Sequence, residues 1–574
     1  MAQKTNLTPF VVPGVVMRCF SPRNHRVTSA LLTFWWRRGL DWFLDSHCQP
    51  IQEDDRRDRA ARMRPVAFTY RHGWSRYTKI QSTGRTFQLQ LLNHVRYVHQ
   101  GQRQQSDLSS TSGPTSGRFS SGLPRTIAPP KSIFSVASPP ALTLTPSPSP
   151  LSILPLSAVL RSLLITTVSS SPSLLAPAIG VMSLIANSKS SILNPDQNFA
   201  LKYVMANTIY AQFCAGETPA EVRQCVRQIK HLGYSGVILG YAREIVMDER
   251  EASAMGQNAG IQIGTAQKLQ EDIFAWRDGT IATVDLAGEG SFVAVKFTGA
   301  GRKAVQQLVR GERPCPDLEQ AIAAICDRAR DRGVRLLIDA EQQAVQPTID
   351  EWTIEYARRY NNAPSRQALI YGTYQAYLRS TPSTLAKHSA IAQSQGFVLG
   401  VKLVRGAYLG TEPRHLIWDT KEKTDEAYDS LAKSVMRRQY GELLVKPPNG
   451  PGSFPEVNLV LASHNRASIQ RALNIREEQI RRGEDQIEMS YGQLYGMADD
   501  ISCELVQQRT QAQDLNGGKL EIPKPYKALI WGTVGECTKY LLRRGEENRD
   551  AALRTGDTRR AMVKELKRRL LGGN

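Results

Sequence analysis

The strongest periodic signal in the chain is a succession of short apolar runs, rich in β-branched residues and separated by stretches of helical spacing. They read Gly236–Tyr241 (GVILGY), Phe292–Phe297 (FVAVKF), Arg335–Asp339 (RLLID), Leu369–Gln375 (LIYGTYQ), Gly400–Arg405 (GVKLVR), Leu459–His464 (LVLASH), Glu488–Leu494 (EMSYGQL) and Ala528–Val534 (ALIWGTV). Runs that are apolar at both alternating positions suit parallel strands buried on both faces. Eight such runs, most with room for a helix between them, predict an α/β fold of the (β/α)8 TIM-like barrel type over roughly 350 residues. A doubly wound sheet is the alternative that the same runs allow.

Polar residues recur where these runs end: Lys296, Asp339 with Glu341, Gln375, Lys402 with Arg405, His464 with Asn465, and Gln493. In an α/β barrel those ends share one face, the face that carries active sites. Any one of these residues alone reads equally well as a solvated loop residue; their recurrence on six runs is what points to a pocket. After the eighth run, Tyr540, Arg543, Arg544 and Glu547 fall on one side of a predicted helix. Two adjacent guanidiniums offer a carboxylate a bidentate fork that lysine cannot supply. A surface helix with an internal Glu–Arg pair is the plainer reading of that spacing. No metal site is expected: His464 has no partner at ligand spacing, and the eight cysteines are dispersed without a CxxC pair. No Ser/His/Asp arrangement and no glycine-rich phosphate loop after a strand is evident.

Charge changes the picture of the N-terminal third. Of the formal net charge of +20, most sits in residues 1–200, which hold 22 Lys and Arg against 8 Asp and Glu. No acidic residue occurs between Asp107 and Asp196, and residues from Ser106 to Pro150 are rich in Ser, Pro and Thr. That composition predicts a disordered, basic leader over residues 1–150 with mitochondrial-targeting character, although the cluster Glu53-Asp54-Asp55 does not suit one. A helical N-terminal arm is expected over 151–232 and the barrel over 233–574. Nucleic-acid binding is not expected, because the second half holds no basic and aromatic platform. No uninterrupted apolar run of about 20 residues predicts a membrane span.

The motifs VKFTGAG, LLIDAEQ, TYQAYLR, KLVRGAY, ASHN, YGQLYGM and YLLRRGEEN follow one another in this order. Together they resemble the proline dehydrogenases, both the eukaryotic mitochondrial group and the corresponding domain of bacterial bifunctional proline-utilisation enzymes. The resemblance runs from about Leu154 to the C-terminus. It implies a barrel holding FAD non-covalently, with hydride passing from C5 of L-proline to flavin N5 to give 1-pyrroline-5-carboxylate. It further implies a mitochondrial enzyme of the matrix in peripheral contact with the inner membrane, passing electrons to a quinone.

By the same resemblance, Arg543, Arg544 and Lys296 would grip the proline carboxylate, while Tyr540 and Leu494 pack on its ring. Asp339, with Ala340, would orient these groups and the flavin. Gln375 and Lys402 would meet the isoalloxazine. Val404, Arg405, Gly406 and Ala407 would line its ribityl and phosphate portion, with Ala462, Ser463 and Gln493 nearby. Thr420, Lys421, His464 and Asn465 would hold the pyrophosphate and adenosine end, and Arg544 and Glu547 would meet the ribityl chain or brace the fork. Trp531 stands where many members carry a tyrosine of the substrate pocket, as in fungal-type members. Lys402 replaces the arginine of bacterial members, keeping the charge. Rival readings are a flavin barrel acting on hydroxyproline or a folate, and a catalytically silent membrane scaffold.

Overall fold

The computed structural model describes residues 149–572, apart from 189, 244–263, 363, 411, 449, 517–522 and 551. The expected leader therefore lies almost entirely outside the described residues. Among them, eight parallel strands close on themselves in sequence order. They are β1 (Gly236–Tyr241), β2 (Phe292–Val295), β3 (Arg335–Ile338), β4 (Ile370–Gln375), β5 (Leu399–Val404), β6 (Val457–Ala462), β7 (Met489–Leu494) and β8 (Pro525–Trp531). Pairing of β1 with β8, from Gly236 opposite Tyr526 to Tyr241 opposite Trp531, removes both sheet edges and excludes a doubly wound sheet.

Strand pleat sorts the side chains into two sets. Val237, Leu239, Val293, Val295, Leu336 and Ile338 face outward and pack under the helices. Ile238, Phe292, Leu337, Tyr371, Val460 and Tyr526 face inward and fill the lower barrel. Below them Arg335 lies 3.9 Å over the Phe292 ring and donates to Gly290 O at 2.9 Å and Tyr526 Oη at 3.0 Å. The barrel is thus plugged at its N-terminal end, so its upper layer is the place where polar groups can meet a ligand.

The eighth strand begins three residues before the apolar run that marked it. Its opening residues, Pro525 and Lys527, broke the sequence pattern. Proline is tolerated at the first position of a strand. Lys527 points outward to Asp499, at 2.7 Å, where its charge is paired.

Before the barrel, helices at Leu156–Ser169 and Pro172–Asn187 meet at 99°, and neither is long and apolar enough to cross a membrane. The helix Val534–Asp550, which leaves β8, packs on Pro172–Asn187, and the last helix, Ala552–Leu570, packs on Leu156–Ser169. Arg569 ties the last helix to the turn ahead of Leu156–Ser169 by donating to the carbonyls of Leu151 and Leu154 at 3.1 and 2.8 Å.

One buried side chain joins two strands to the wall. Asn361 is fully buried and ends the helix Gln346–Tyr360. Its Nδ2 donates to Ile370 O and Val398 O at 2.8 and 2.9 Å, and its Oδ1 accepts from the N–H groups of Leu369 and Ile370. Asn361→Ala removes four hydrogen bonds to backbone groups at once. It is expected to cost about 3 kcal/mol or more in chemical denaturation. A loss under about 1 kcal/mol would contradict this account.

Candidate active site

The expected site residues divide by strand parity. Lys296, Asp339, Gln375, Lys402, Val404, Ala462, His464 and Leu494 all continue the inward-facing series of their strands and stand at the same, C-terminal end of the barrel. Gln493 and Trp531 have the opposite parity. Trp531 packs 5.4 Å from the Tyr241 ring and donates its Nε1–H to Thr283 Oγ1 at 2.9 Å, in the helix Ala266–Ala287. It therefore belongs to the wall and not to the substrate pocket, and the inward positions of β8 at this height are Ala528 and Ile530.

Asp339 is the centre of the mouth. Its Oδ1 accepts from Lys402 Nζ at 2.6 Å, and Lys296 Nζ lies 3.6 Å from Oδ2. Burial by itself would raise the pKa of this carboxyl, but the two ammonium groups more than offset it and hold the group below the ordinary carboxylate value. Ala340, the next residue, is buried. Glu341, also buried, takes up the N–H of Thr298 at 3.2 Å and its hydroxyl. The turn after Lys296 is thereby tied to the turn after Asp339. Tyr408 joins the cluster from the loop after β5, its hydroxyl accepting from Lys296 Nζ at 3.3 Å. Sequence reasoning missed Glu341's cross-loop role and Tyr408, although both lie inside the quoted motifs.

Arg405 is braced on all sides of its guanidinium. It donates to Asp425 at 2.7 Å, to Ser463 Oγ at 2.7 Å and to Ser468 Oγ at 2.8 Å, and stacks 4.2 Å over the Tyr428 ring. It thus joins the helices Lys421–Arg437 and Arg466–Arg482, and Lys421 shares Asp425 with it. Gly406 approaches the Tyr377 ring so closely that a Cβ would lie 2.5 Å from it. Ala407 donates its N–H to Gln375 Oε1 at 3.0 Å.

Thr420 and Asn465 cap the N-termini of those same two helices, Thr420 accepting from Lys423 N–H and Asn465 from the N–H groups of Ala467 and Ser468. The positive ends of both helices suit phosphate oxygens. His464 Nε2 accepts the N–H of Leu494 at 3.0 Å, which places the proton of the neutral ring on Nδ1.

The expected arginine fork sits on the helix Val534–Asp550. Arg544 is buried and its guanidinium lies 4.8 Å from the Tyr540 ring centroid, while Arg543 is half-buried. The side chain of Glu547 lies outside the described residues. The start of the helix is held by carboxylates of the preceding segment. Asp196 accepts from Thr533 Oγ1 at 2.9 Å and Gly535 N at 3.0 Å, and Glu217 accepts from Val534 N at 3.1 Å. Negative charge at a helix N-terminus stabilises it. The carboxylate lies directly against Gly535, where a Cβ would come within 2.2 Å of Asp196 Oδ2.

These residues fit a flavin. Gln375 Nε2 is a buried amide donor with no hydrogen-bond partner among the described residues, on the strand next to Lys402. An open donor beside a cation suits the carbonyl and ring-nitrogen acceptors of an isoalloxazine. Among the described residues no group of His, Cys, Asp and Glu has the arrangement of a metal site.

A closed α/β barrel with part-buried cations and an unsatisfied amide at its C-terminal mouth has the architecture of a barrel enzyme. The proline dehydrogenase family model matches residues 222–556, more than half of the chain. The chain belongs to the proline dehydrogenase family and is an oxidoreductase. Among similar proteins, the "Probable proline dehydrogenase, mitochondrial" of Schizosaccharomyces pombe is 28% identical over 460 residues, covering 72% of this chain and 88% of its own. "Proline dehydrogenase 1, mitochondrial" of Caenorhabditis elegans is 32% identical over 261 residues, 43% of this chain and 37% of that one. The hydroxyproline dehydrogenase of Rattus norvegicus is 28% identical over 402 residues, 64% and 82% respectively. Proline utilization A of Bdellovibrio bacteriovorus aligns with a TM-score of 0.46 at 16% identity, over 68% of this chain and 38% of that chain.

Lys402→Met tests the electrostatics. In the parent, the ionised Asp339 contributes stability that is present above the unfolded pKa of about 3.9 and is lost as pH falls through its lower folded value. Removing the nearer cation raises that folded value, so the contribution is lost at higher pH. Melting curves are expected to show a loss of about 2 kcal/mol at neutral pH that narrows toward pH 4. An equal loss at every pH would contradict the assignment.

Proposed function

We propose that this chain binds FAD in the barrel mouth and oxidises L-proline to 1-pyrroline-5-carboxylate in proline catabolism. The observation that carries this reading is the Lys296–Asp339–Lys402 cluster at the mouth of a barrel whose sequence matches the family. Gln375 and Lys402 would hold the isoalloxazine, and Val404 through Ala407 its ribityl chain. Thr420, Lys421, Ala462, Ser463, His464, Asn465 and Gln493 would hold or support the phosphates and adenosine, with Arg544 and Glu547 near the ribityl portion. When bound, FAD supplies the two-electron acceptor that no side chain can provide.

The chain's own groups would then do the positioning. Arg543, Arg544 and Lys296 bind the substrate carboxylate, which fixes the direction in which C5 points. Tyr540 and Leu494 exclude water from the apolar ring. Asp339, held ionised by two lysines, is a poor proton acceptor, so the amine loses its proton to water before reaction. Its role is to orient Lys296 and Lys402.

Residues 1–150 would act as a mitochondrial leader, 151–232 as an arm and 233–574 as the catalytic barrel. The mitochondrial names of relatives in a fungus and in animals support that location. Peripheral contact with the inner membrane, where a quinone takes up the electrons, is supported by an apolar surface before the barrel. Val181, Leu184, Ile192, Phe199, Tyr203 and Val204 are all more than half exposed. Leu184→Glu with Phe199→Glu is expected to reduce co-sedimentation with cardiolipin-containing vesicles at least several-fold, and unchanged sedimentation would refute this contact.

The activity itself is tested by mixing the full chain, loaded with FAD, with L-proline under anaerobic conditions. Bleaching of the flavin absorbance is expected, slower with 4-hydroxyproline. Arg543→Met and Arg544→Met are each expected to raise KM for proline by about ten- to a hundredfold. Yellow protein that proline does not bleach would move the substrate elsewhere. Folded protein that does not take up FAD would favour the silent scaffold.

A further inference from the structure

The connection between β5 and the helix Lys421–Arg437 is long for a βα loop and, among its described residues, holds only a short 3-10 turn at Arg414–Leu416. Its two ends are fastened to the exit of β4. Arg405 O accepts from Tyr377 N at 2.8 Å; near the other end Ile417 bridges Leu378, and Trp418 Nε1 donates to Ala376 O at 3.0 Å. The middle of the loop reaches across toward β3 and β2. Leu409 is 57% exposed there, yet Glu412, three residues on, is only 8% exposed.

An apolar residue left in water beside a carboxylate withdrawn from it reverses the usual order. Such burial is costly unless hydrogen bonds replace the lost water. Glu412 Oε1 accepts the N–H of Gln343 at 3.1 Å, in the loop that follows Asp339. Its own N–H donates to Tyr408 O at 2.9 Å, closing a turn. Tyr408 Oη accepts from Lys296 Nζ, which also lies 5.9 Å from the centre of that ring, and Lys296 returns to Asp339 at 3.6 Å. The contacts form a circuit that leaves and re-enters the β3 exit. Glu412 is the member that joins two loops far apart in sequence.

We propose that Glu412 is a positioning residue of the active site. It docks the β5 loop on the β3 loop so that Tyr408 stands against Lys296 and closes one wall of the substrate pocket. The inference rests on the reading of Lys296 as a contact of the substrate carboxylate. Glu412 works as a hydrogen-bond acceptor, so an amide oxygen at the same reach can replace it.

The test is steady-state turnover of L-proline by the FAD-loaded full chain and its variants. Glu412→Ala is expected to raise KM about tenfold while kcat changes less than about threefold, the size expected for loss of one charged hydrogen bond. Glu412→Gln is expected to keep KM within about threefold of the parent. In a Tyr408→Phe background, Glu412→Ala is expected to add little, because both changes act on the same contact. Should Glu412→Ala not fold, Glu412→Asp, one methylene too short to reach Gln343, is expected to give the same rise in KM.

A parent-like KM in the folded Ala or Asp variant would overturn the proposal. So would a Gln variant that folds yet is impaired as much as Ala, or additive effects with Tyr408→Phe. A parent chain that does not oxidise proline would instead defeat the reading of the site on which this proposal rests.

Discussion

A carboxylate taken out of water must be paired, and at Asp339 that requirement organises the whole mouth of the barrel. Two lysines from the ends of β2 and β5 converge on it, so three strands are held in one register at the catalytic end. Among the described contacts, two cations meet on this one anion, an arrangement that suits a substrate carboxylate or a reduced cofactor nearby. Glu341 and Glu412 extend the same logic outward, each buried and each taking up backbone N–H groups from a neighbouring loop.

The plugged lower barrel and the capped helices serve that layer. Arg335, Tyr526 and Phe292 close the bottom, so ligand access is confined to the top. Arg405 locks two helices whose capped N-termini suit phosphate oxygens. The preceding segment contributes through Asp196 and Glu217, which hold the start of the arginine-bearing helix. Helical sequence ahead of the barrel is therefore part of the active-site scaffold.

Much of this was legible in the chain. Apolar runs of strand length showed the barrel, and the recurrence of Lys296, Asp339, Gln375, Lys402 and His464 at their ends showed which end carries chemistry. The failures have physical causes. Trp531 was placed in the pocket by its match to a tyrosine of the family's eighth strand, but the pleat turns the indole to the wall. The bracing role of Arg405 was not legible either, because its three partners lie 20 to 63 positions away. Tyr408 and Glu412 gain their meaning from loops that meet only in three dimensions, where local spacing carries no signal.

The central claim is that FAD and proline meet over the Lys296–Asp339–Lys402 cluster. The most direct measurement is a crystal structure of the FAD-loaded full chain with a non-oxidisable cyclic carboxylate of proline size. The account predicts the isoalloxazine beside Gln375 and Lys402, with the ligand carboxylate held by Arg543, Arg544 and Lys296. A flavin or an acid bound outside the barrel mouth, with these three cations left in water, would contradict it.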